Sequence, residues 1–296
     1  MRHHECDDPE AKVLIPGWEQ RMDYIVKGLI IPVIALVLSI GVSMILTRVI
    51  YNKRIKEGRL GKLRRNLTFF GLIVFFFIVG AVGYFGTYIH ATERALTFMG
   101  STETVKVSEI DEGYFFDGPG TENAYIFYPG AKVDEKAYAE LMQMIADDGT
   151  DCFLVKMPFH FAFFGVGRAG SIIDKYKYDS WYIGGHSLGG AMACNFAAEN
   201  EDRLKGGVFL AAYSNEKIDD SFGAVSVTAT NDKILDWKKY NESMMYYPAG
   251  IKEVSIEGGN HSQFGDYGMQ GGDGEATISL DEQMRLTADA VKVLVG

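Results

Sequence analysis

Two long runs along the chain carry no charged residue. Residues 28–47 read GLIIPVIALVLSIGVSMILT, and residues 66–92 carry FFGLIVFFFIVGAVGYFG. About 20 apolar residues in a helix suffice to cross the hydrocarbon core of a bilayer, and each run is that long. Soluble helices rarely stay uncharged over such lengths, so two membrane-spanning helices are predicted rather than two buried core helices. The first run starts late, lacks a small-residue cleavage site and is followed by a second run. It therefore reads as an anchor and not as a cleavable signal.

From about residue 104 the period shortens. TVKVSEI, GYFFDG, NAYIFYPG, DCFLVKMP, SWYIGGHS, GGVFLAAY, GAVSVTAT and KEVSIEGG read as strands. Among them, VDEKAYAELMQMIADDG sets Tyr138, Leu141, Met142 and Ile145 on one helical face. LGGAMACNFAAENEDRL reads as a helix rich in small residues, and SLDEQMRLTADAVKVLV as a closing helix capped by Ser279 with Glu282 three places on. Strands alternating with helices predict a mostly parallel sheet covered on both faces, with the chemistry just beyond the carboxyl ends of the strands. The expected organisation is an N-terminal segment (1–24), two transmembrane helices (25–92) with a basic loop at 51–66, and an α/β domain (93–296).

Charge adds direction to this plan. Between the apolar runs, Lys53, Arg54, Lys56, Arg59, Lys62, Arg64 and Arg65 face only Glu57, while Glu5, Asp7, Asp8 and Glu10 precede the first run. Short loops rich in Lys and Arg stay on the cytoplasmic side. The basic loop is thus expected in the cytoplasm, with both termini and the α/β domain outside it. The net charge of −10 argues against a nucleic-acid partner held through phosphates. Cys6, Cys152 and Cys194 show no zinc or redox spacing, and Cys152 and Cys194 sit among apolar residues like small core side chains. No metal and no cofactor is expected.

The candidate chemistry centres on Gly185-His186-Ser187-Leu188-Gly189, a GxSxG pentapeptide between a strand and a helix. A serine on that sharp turn is a nucleophile, and glycines two places either side avoid collisions with the strand and helix. The start of the helix adds positive partial charge. A serine hydroxyl needs a base, and His261 follows a strand at the right place in the chain order Ser, Asp, His. Gly258-Gly259-Asn260 before it predicts a loop that swings the imidazole over the serine. His160 breaks the order and reads as a pocket-lining residue or a satisfied loop histidine. His186 is expected to point away from its neighbour's task. Asp232, close behind the strand VSVTAT, is the expected acid, with Asp219 and Asp220 as surface-loop competitors. The oxyanion donors are expected to be the N–H groups of Leu188 and of Ala131 in the Pro129-Gly130 turn, with Lys132 as the alternative to Ala131.

Taken together, FYPGAKVDEKAY, LVKMP, IGGHSLGGAMA, TATND and GGNHSQFGDYG resemble the dienelactone-hydrolase-like group of the α/β-hydrolase superfamily over about residues 100–296. The resemblance implies an α/β-hydrolase fold, a Ser187–Asp232–His261 triad and no cofactor. Two departures stand out. Dienelactone hydrolases proper use a cysteine where this chain has Ser187, and a second glycine often follows Pro-Gly where this chain has Ala131. The expected activity is that of a membrane-anchored serine hydrolase acting on a small-molecule ester or related acyl substrate. The alternative is a hydrolase-shaped binding or sensing domain without turnover. Phe159, Phe161, Phe163 and Phe164 line an acyl pocket or pack a helix on the sheet, and GDYGMQGGDG reads as a turn-rich loop beside His261 without calcium-ligand spacing.

Overall fold

The computed structural model describes residues 31–51 and 59–295, which fall into two compact units divided between Gly86 and Thr87. The acidic N-terminal residues, the start of the first apolar run, Cys6, and the cluster from Lys53 to Glu57 lie outside the described residues.

The first unit holds two helices, α1 (Ile31–Tyr51) and α2 (Arg59–Gly86), packed along one another. Both are long and apolar enough to cross a membrane. Their outer faces expose Val37, Leu38, Ile45, Phe70, Phe75 and Val82. Along α1, Ser39, Ser43 and Thr47 recur every four residues and are buried. Ser39 and Ser43 donate to the carbonyls of Ala35 and Ser39 one turn back (2.6 and 2.5 Å), so small polar residues let the helices approach closely. One expectation is corrected here. Residues 59–65, expected in the basic loop, are helical. Arg, Lys and Leu are strong helix formers, so charge marks the end of the apolar stretch without ending the helix.

The second unit begins with α3 (Glu93–Thr97) and is built on one eight-stranded sheet. Its strands are β1 (Lys106–Ile110), β2 (Gly113–Asp117), β3 (Asn123–Tyr128), β4 (Thr150–Val155), β5 (Ser180–His186), β6 (Gly206–Leu210), β7 (Gly223–Ala229) and β8 (Lys252–Ile256). The spatial order is β1-β2-β4-β3-β5-β6-β7-β8. Only β2 runs antiparallel, to β1 on one side and β4 on the other, and β3 through β8 are mutually parallel. Five further helices complete the unit: α4 (Ala139–Asp147), α5 (Arg168–Lys175), α6 (Leu188–Glu199), α7 (Trp237–Ser243) and α8 (Leu280–Val295).

Strand periodicity divides the core in two. Tyr125 and Phe127 of β3 point to one face, where Leu141, Met142 and Ile145 of α4 and Met284, Ala288 and Val291 of α8 cover them. Ala124, Ile126 and Tyr128 point to the other, under Ala169 and Ile172 of α5 and Ala193, Cys194 and Phe196 of α6. Burying each large apolar side chain contributes about 1.5–3 kcal/mol, which is why central strands read as continuous apolar runs. The parallel strands end together, and the loops beyond Tyr128, His186 and Ala229 carry the candidate chemistry.

Candidate active site

Ser187 joins β5 to α6 with φ 54° and ψ −123°, a left-handed conformation that a residue with a Cβ adopts only when its surroundings enforce it. Two glycines make the turn possible. A Cβ on Gly185 would lie 2.6 Å from the Tyr128 carbonyl oxygen, and one on Gly189 would lie 2.2 Å from the carbonyl oxygens of Tyr128 and Pro129. The elbow therefore sits directly against the end of β3. The Ser187 N–H donates to the Leu210 carbonyl (2.9 Å), and its own carbonyl accepts from Ala191 N–H (3.0 Å), which fixes the strand end to the first helical turn. Ser187 Oγ makes no hydrogen bond among the described residues. Loose contacts of this kind are common before substrate arrives.

The end of β3 continues into the Pro129-Gly130-Ala131 turn, so this turn borders the elbow. Most of its amides are engaged. Gly130 N–H donates to Tyr138 Oη (3.0 Å), Lys132 N–H to the His160 carbonyl (2.7 Å), and Asp134 N–H to the Ile89 carbonyl (2.8 Å). Among the described residues the Ala131 N–H has no such partner. Lys132 N–H, the alternative donor, is thus already bonded to a carbonyl. Leu188 is the first residue of α6, where an amide has no partner within its own helix.

Asp232 and His261 are brought together. His261 Nδ1 and Asp232 Oδ2 are 2.7 Å apart, and both residues are buried. Asp232 Oδ1 accepts from the N–H groups of Ile234 and Leu235 (both 2.8 Å), so the carboxylate is oriented from both sides. Asp219 and Asp220 lie elsewhere. Asp219 caps Ser221, Asp220 binds Lys217 Nζ and Ala249 N–H, and these partners hold both carboxyls below the usual carboxylate range.

Two expectations about histidines are corrected. The Gly258-Gly259-Asn260 segment, expected to be a free loop, is held by hydrogen bonds. Gly258 N–H donates to Thr230 Oγ1 (2.8 Å), Asn260 N–H to Gln283 Oε1 (3.0 Å), and Gln283 Nε2 to the Asn260 carbonyl (2.7 Å). The Asn260 side chain adds a bond to the Gly274 carbonyl, and Asn231 N–H reaches Gly259 (2.8 Å). Glycine here serves a left-handed turn at Gly258 (φ 76°). His186, expected to point away, packs its ring 4.4 Å from the ring of His261. The parity of β5 explains this, because His186 shares the face of Tyr182, toward α4 and α8. Its Nδ1 lies 2.8 Å from Tyr138 Oη. Burial, and then the neighbouring His261, push the His186 pKa well below the ordinary histidine value, so it is neutral.

His160 does not join this group. Its ring stacks on Tyr88 (centroids 3.8 Å apart), and its Nδ1 lies 3.6 Å from Glu135, whose carboxyl burial raises above the usual range. The loop after His261 acts as a brace: Asp273 Oδ2 accepts from the N–H and hydroxyl of Ser262 (2.8 and 2.6 Å), and Asp273 Oδ1 from Lys233 N–H (3.2 Å).

A profile described as the alpha/beta hydrolase family matches residues 124–285, which span the elbow, Asp232 and His261. The chain belongs to the α/β-hydrolase family. Solved structures show the same fold in other hydrolases. A dienelactone hydrolase from Anabaena variabilis superposes with a TM-score of 0.50 at 11% identity, covering 66% of this chain and 100% of its own. A putative hydrolase from Agrobacterium vitis gives 0.50 at 11%, covering 65% and 99%. Est1E from Butyrivibrio proteoclasticus gives 0.48 at 13%, covering 65% and 99%. No curated protein matches the chain. Within this hydrolase, Tyr138, His186, Gln283 and Asp273 were not anticipated from sequence. Counting strand parity from Tyr182 locates His186, but no sequence pattern marks Gln283 or Asp273.

Proposed function

We propose that this hydrolase is a membrane-anchored serine hydrolase that cleaves an ester or related acyl substrate through Ser187, His261 and Asp232. The observation that carries the reading is the buried 2.7 Å contact between His261 and an Asp232 held by two further amides. Such a carboxylate fixes one imidazole tautomer, with Nδ1 protonated toward Asp232 and Nε2 free to act as base. Ser187 Oγ attacks the acyl carbonyl while His261 Nε2 takes its proton. Negative charge developing on the carbonyl oxygen is met by the N–H groups of Ala131 and Leu188. Collapse expels the leaving alkoxide, which receives the proton from His261 and leaves an acyl-Ser187 ester. Water, deprotonated by the same nitrogen, then releases the acid and regenerates the serine. Helices α1 and α2 anchor the chain in the bilayer, a role supported by their length, apolarity and exposed side chains.

A fluorophosphonate probe tests the chemistry, since it labels only an activated serine. The full chain in detergent should label, and Ser187→Ala should not. Turnover of a simple ester should fall in Ser187→Ala by at least about four orders of magnitude, as when a triad nucleophile is lost. Retention of more than a few per cent of the rate would remove Ser187 from the mechanism.

A further inference from the structure

One side chain outside the proposed triad touches both the Pro129-Gly130-Ala131 turn and the histidine of the elbow. Tyr138 closes the short helical turn Glu135–Tyr138 that leads into α4. It is fully buried, with its ring 4.9 Å from that of Phe127 on β3. Its hydroxyl meets two groups at once: Gly130 N–H donates to it at 3.0 Å, and His186 Nδ1 lies 2.8 Å away. The packing there is close. A Cβ on Gly130 would lie 2.9 Å from Tyr138 Oη and 3.1 Å from His186 Nδ1. His186 in turn sets its ring 4.4 Å from that of His261. Its other nitrogen, Nε2, is buried and has no hydrogen-bond partner among the described residues, so Tyr138 is the polar group that orients this ring.

The same hydroxyl tethers the turn that presents Ala131. That residue lies between two held amides, Gly130 N–H on Tyr138 and Lys132 N–H on the His160 carbonyl (2.7 Å). The outer tether joins backbone to backbone, whereas the inner one depends on one side-chain oxygen. Glycine has the widest choice of backbone angles, so the turn can give way at its inner side. An oxyanion donor acts only from the right place. Losing one costs about 10²–10³ in rate, and misplacing a reacting group by about 1 Å costs about 10². The support under Tyr138 is itself fixed. Asp134 Oδ1 accepts from Lys136 N–H (3.1 Å), and the Ala137 carbonyl accepts from Asp266 N–H (2.7 Å) in the loop after His261.

We propose that Tyr138 is a positioning residue that holds the Gly130-Ala131 turn ready for the oxyanion, with His186 orienting its hydroxyl between that turn and the ring of His261. The inference rests on the serine-hydrolase reading above. The test uses the full chain in detergent, p-nitrophenyl butyrate as substrate and two ketones as probes. The trifluoromethyl ketone 1,1,1-trifluorohexan-2-one adds to an active serine and places an oxyanion in the hole, whereas hexan-2-one reports ground-state binding. In Tyr138→Phe, kcat should fall about 10- to 100-fold at nearly constant KM. The inhibition constant of the trifluoromethyl ketone should rise by a similar factor, while that of hexan-2-one stays constant. Tyr240→Phe is the control for a lost buried hydroxyl, because Tyr240 Oη lies 2.8 Å from Ser226 Oγ and donates to Glu253 Oε2 at 3.2 Å, on α7. It should lower thermal stability without changing the ratio of the two inhibition constants. If Tyr138→Phe does not fold, His186→Leu decides: it strips the hydroxyl of its second partner and should show the same selective loss at smaller size. An unchanged ratio in the folded variant, with the wild type still labelled at Ser187 by a fluorophosphonate, overturns the proposal and leaves the serine-hydrolase reading intact. A wild type that neither labels nor turns over the ester removes that reading, and the proposal with it.

Discussion

At the scale of single residues, orientation decides the chemistry. Asp232→Asn keeps the shape of the side chain but favours the wrong histidine tautomer. We expect the esterase rate to fall by about four orders of magnitude while the thermal midpoint moves little. Asp219→Asn, on an exposed loop, should leave the rate unchanged; steady-state kinetics on both variants separate the two, and the reverse pattern would move the acid to the earlier loop. His186 gives a second expectation. Its folded pKa is depressed by burial, so below about pH 6.5 the unfolded chain binds a proton there that the folded chain refuses. Stability from this group is therefore intact above pH 6.5 and declines as pH falls, by up to about 1.4 kcal/mol per unit. Thermal midpoints of the full chain in detergent between pH 7 and 5 should fall less steeply in His186→Gln than in the wild type, and equal slopes would show that His186 is not held neutral. Ser187, Asp232 and His261 were legible as candidates because chain order and strand ends restrict the choices. The clamp from Gln283 and the ring of His186 were not, because they depend on which residues meet across the sheet.

Whole elements were read from apolar periodicity, and its success followed the depth of burial. The central strands stood out because both faces are covered and nearly every position is apolar, whereas the edge strands β1 and β8 are mostly polar and partly exposed. Helices α5 and α7 were missed. Each is short and buries only two residues, Ala169 and Ile172 in one and Tyr240 and Ser243 in the other, too few to print a period. The elbow shows how close the packing between elements is. A methyl group at Gly189 meets two carbonyl oxygens at 2.2 Å, and neither strand nor helix can retreat. Gly189→Ala should cost about 3 kcal/mol or more, measured by denaturant unfolding. Gly250→Ala, with nothing within 4 Å of the added carbon, is the matched control and should be nearly neutral. Similar losses in the two variants would mean the elbow yields more readily than its contacts suggest.

For the whole molecule, charge distribution bears on sidedness. We propose, from the imbalance of seven cations over one acid between the two apolar runs, that the basic segment lies in the cytoplasm and Ser187 on the opposite side. Two crossings, rather than one, then return the chain to the side on which it began. Single cysteines at Ser101 and Lys62, in a Cys6→Ser background, test this with a membrane-impermeant thiol reagent on intact cells. Ser101→Cys should label and Lys62→Cys should not. The opposite result would put the hydrolase in the cytoplasm and leave its chemistry unaltered.

Arg94 has a consequence for where this chain can be divided. Its guanidinium grips Glu140 with two bonds of 2.7 Å, Asp266 at 3.0 Å and Asp281 at 2.6 Å, joining α3 to α4, to the loop after His261 and to the first turn of α8. Glu140 and Asp266 are buried carboxylates, and removing the cation they share would take a compensating charge from both. The segment following α2 is thus the first piece of the hydrolase and no spacer. A free-standing catalytic fragment has its natural boundary at the Gly86–Thr87 bond, and trimming back to the first strand would take away the buckle that fastens the two ends of the fold.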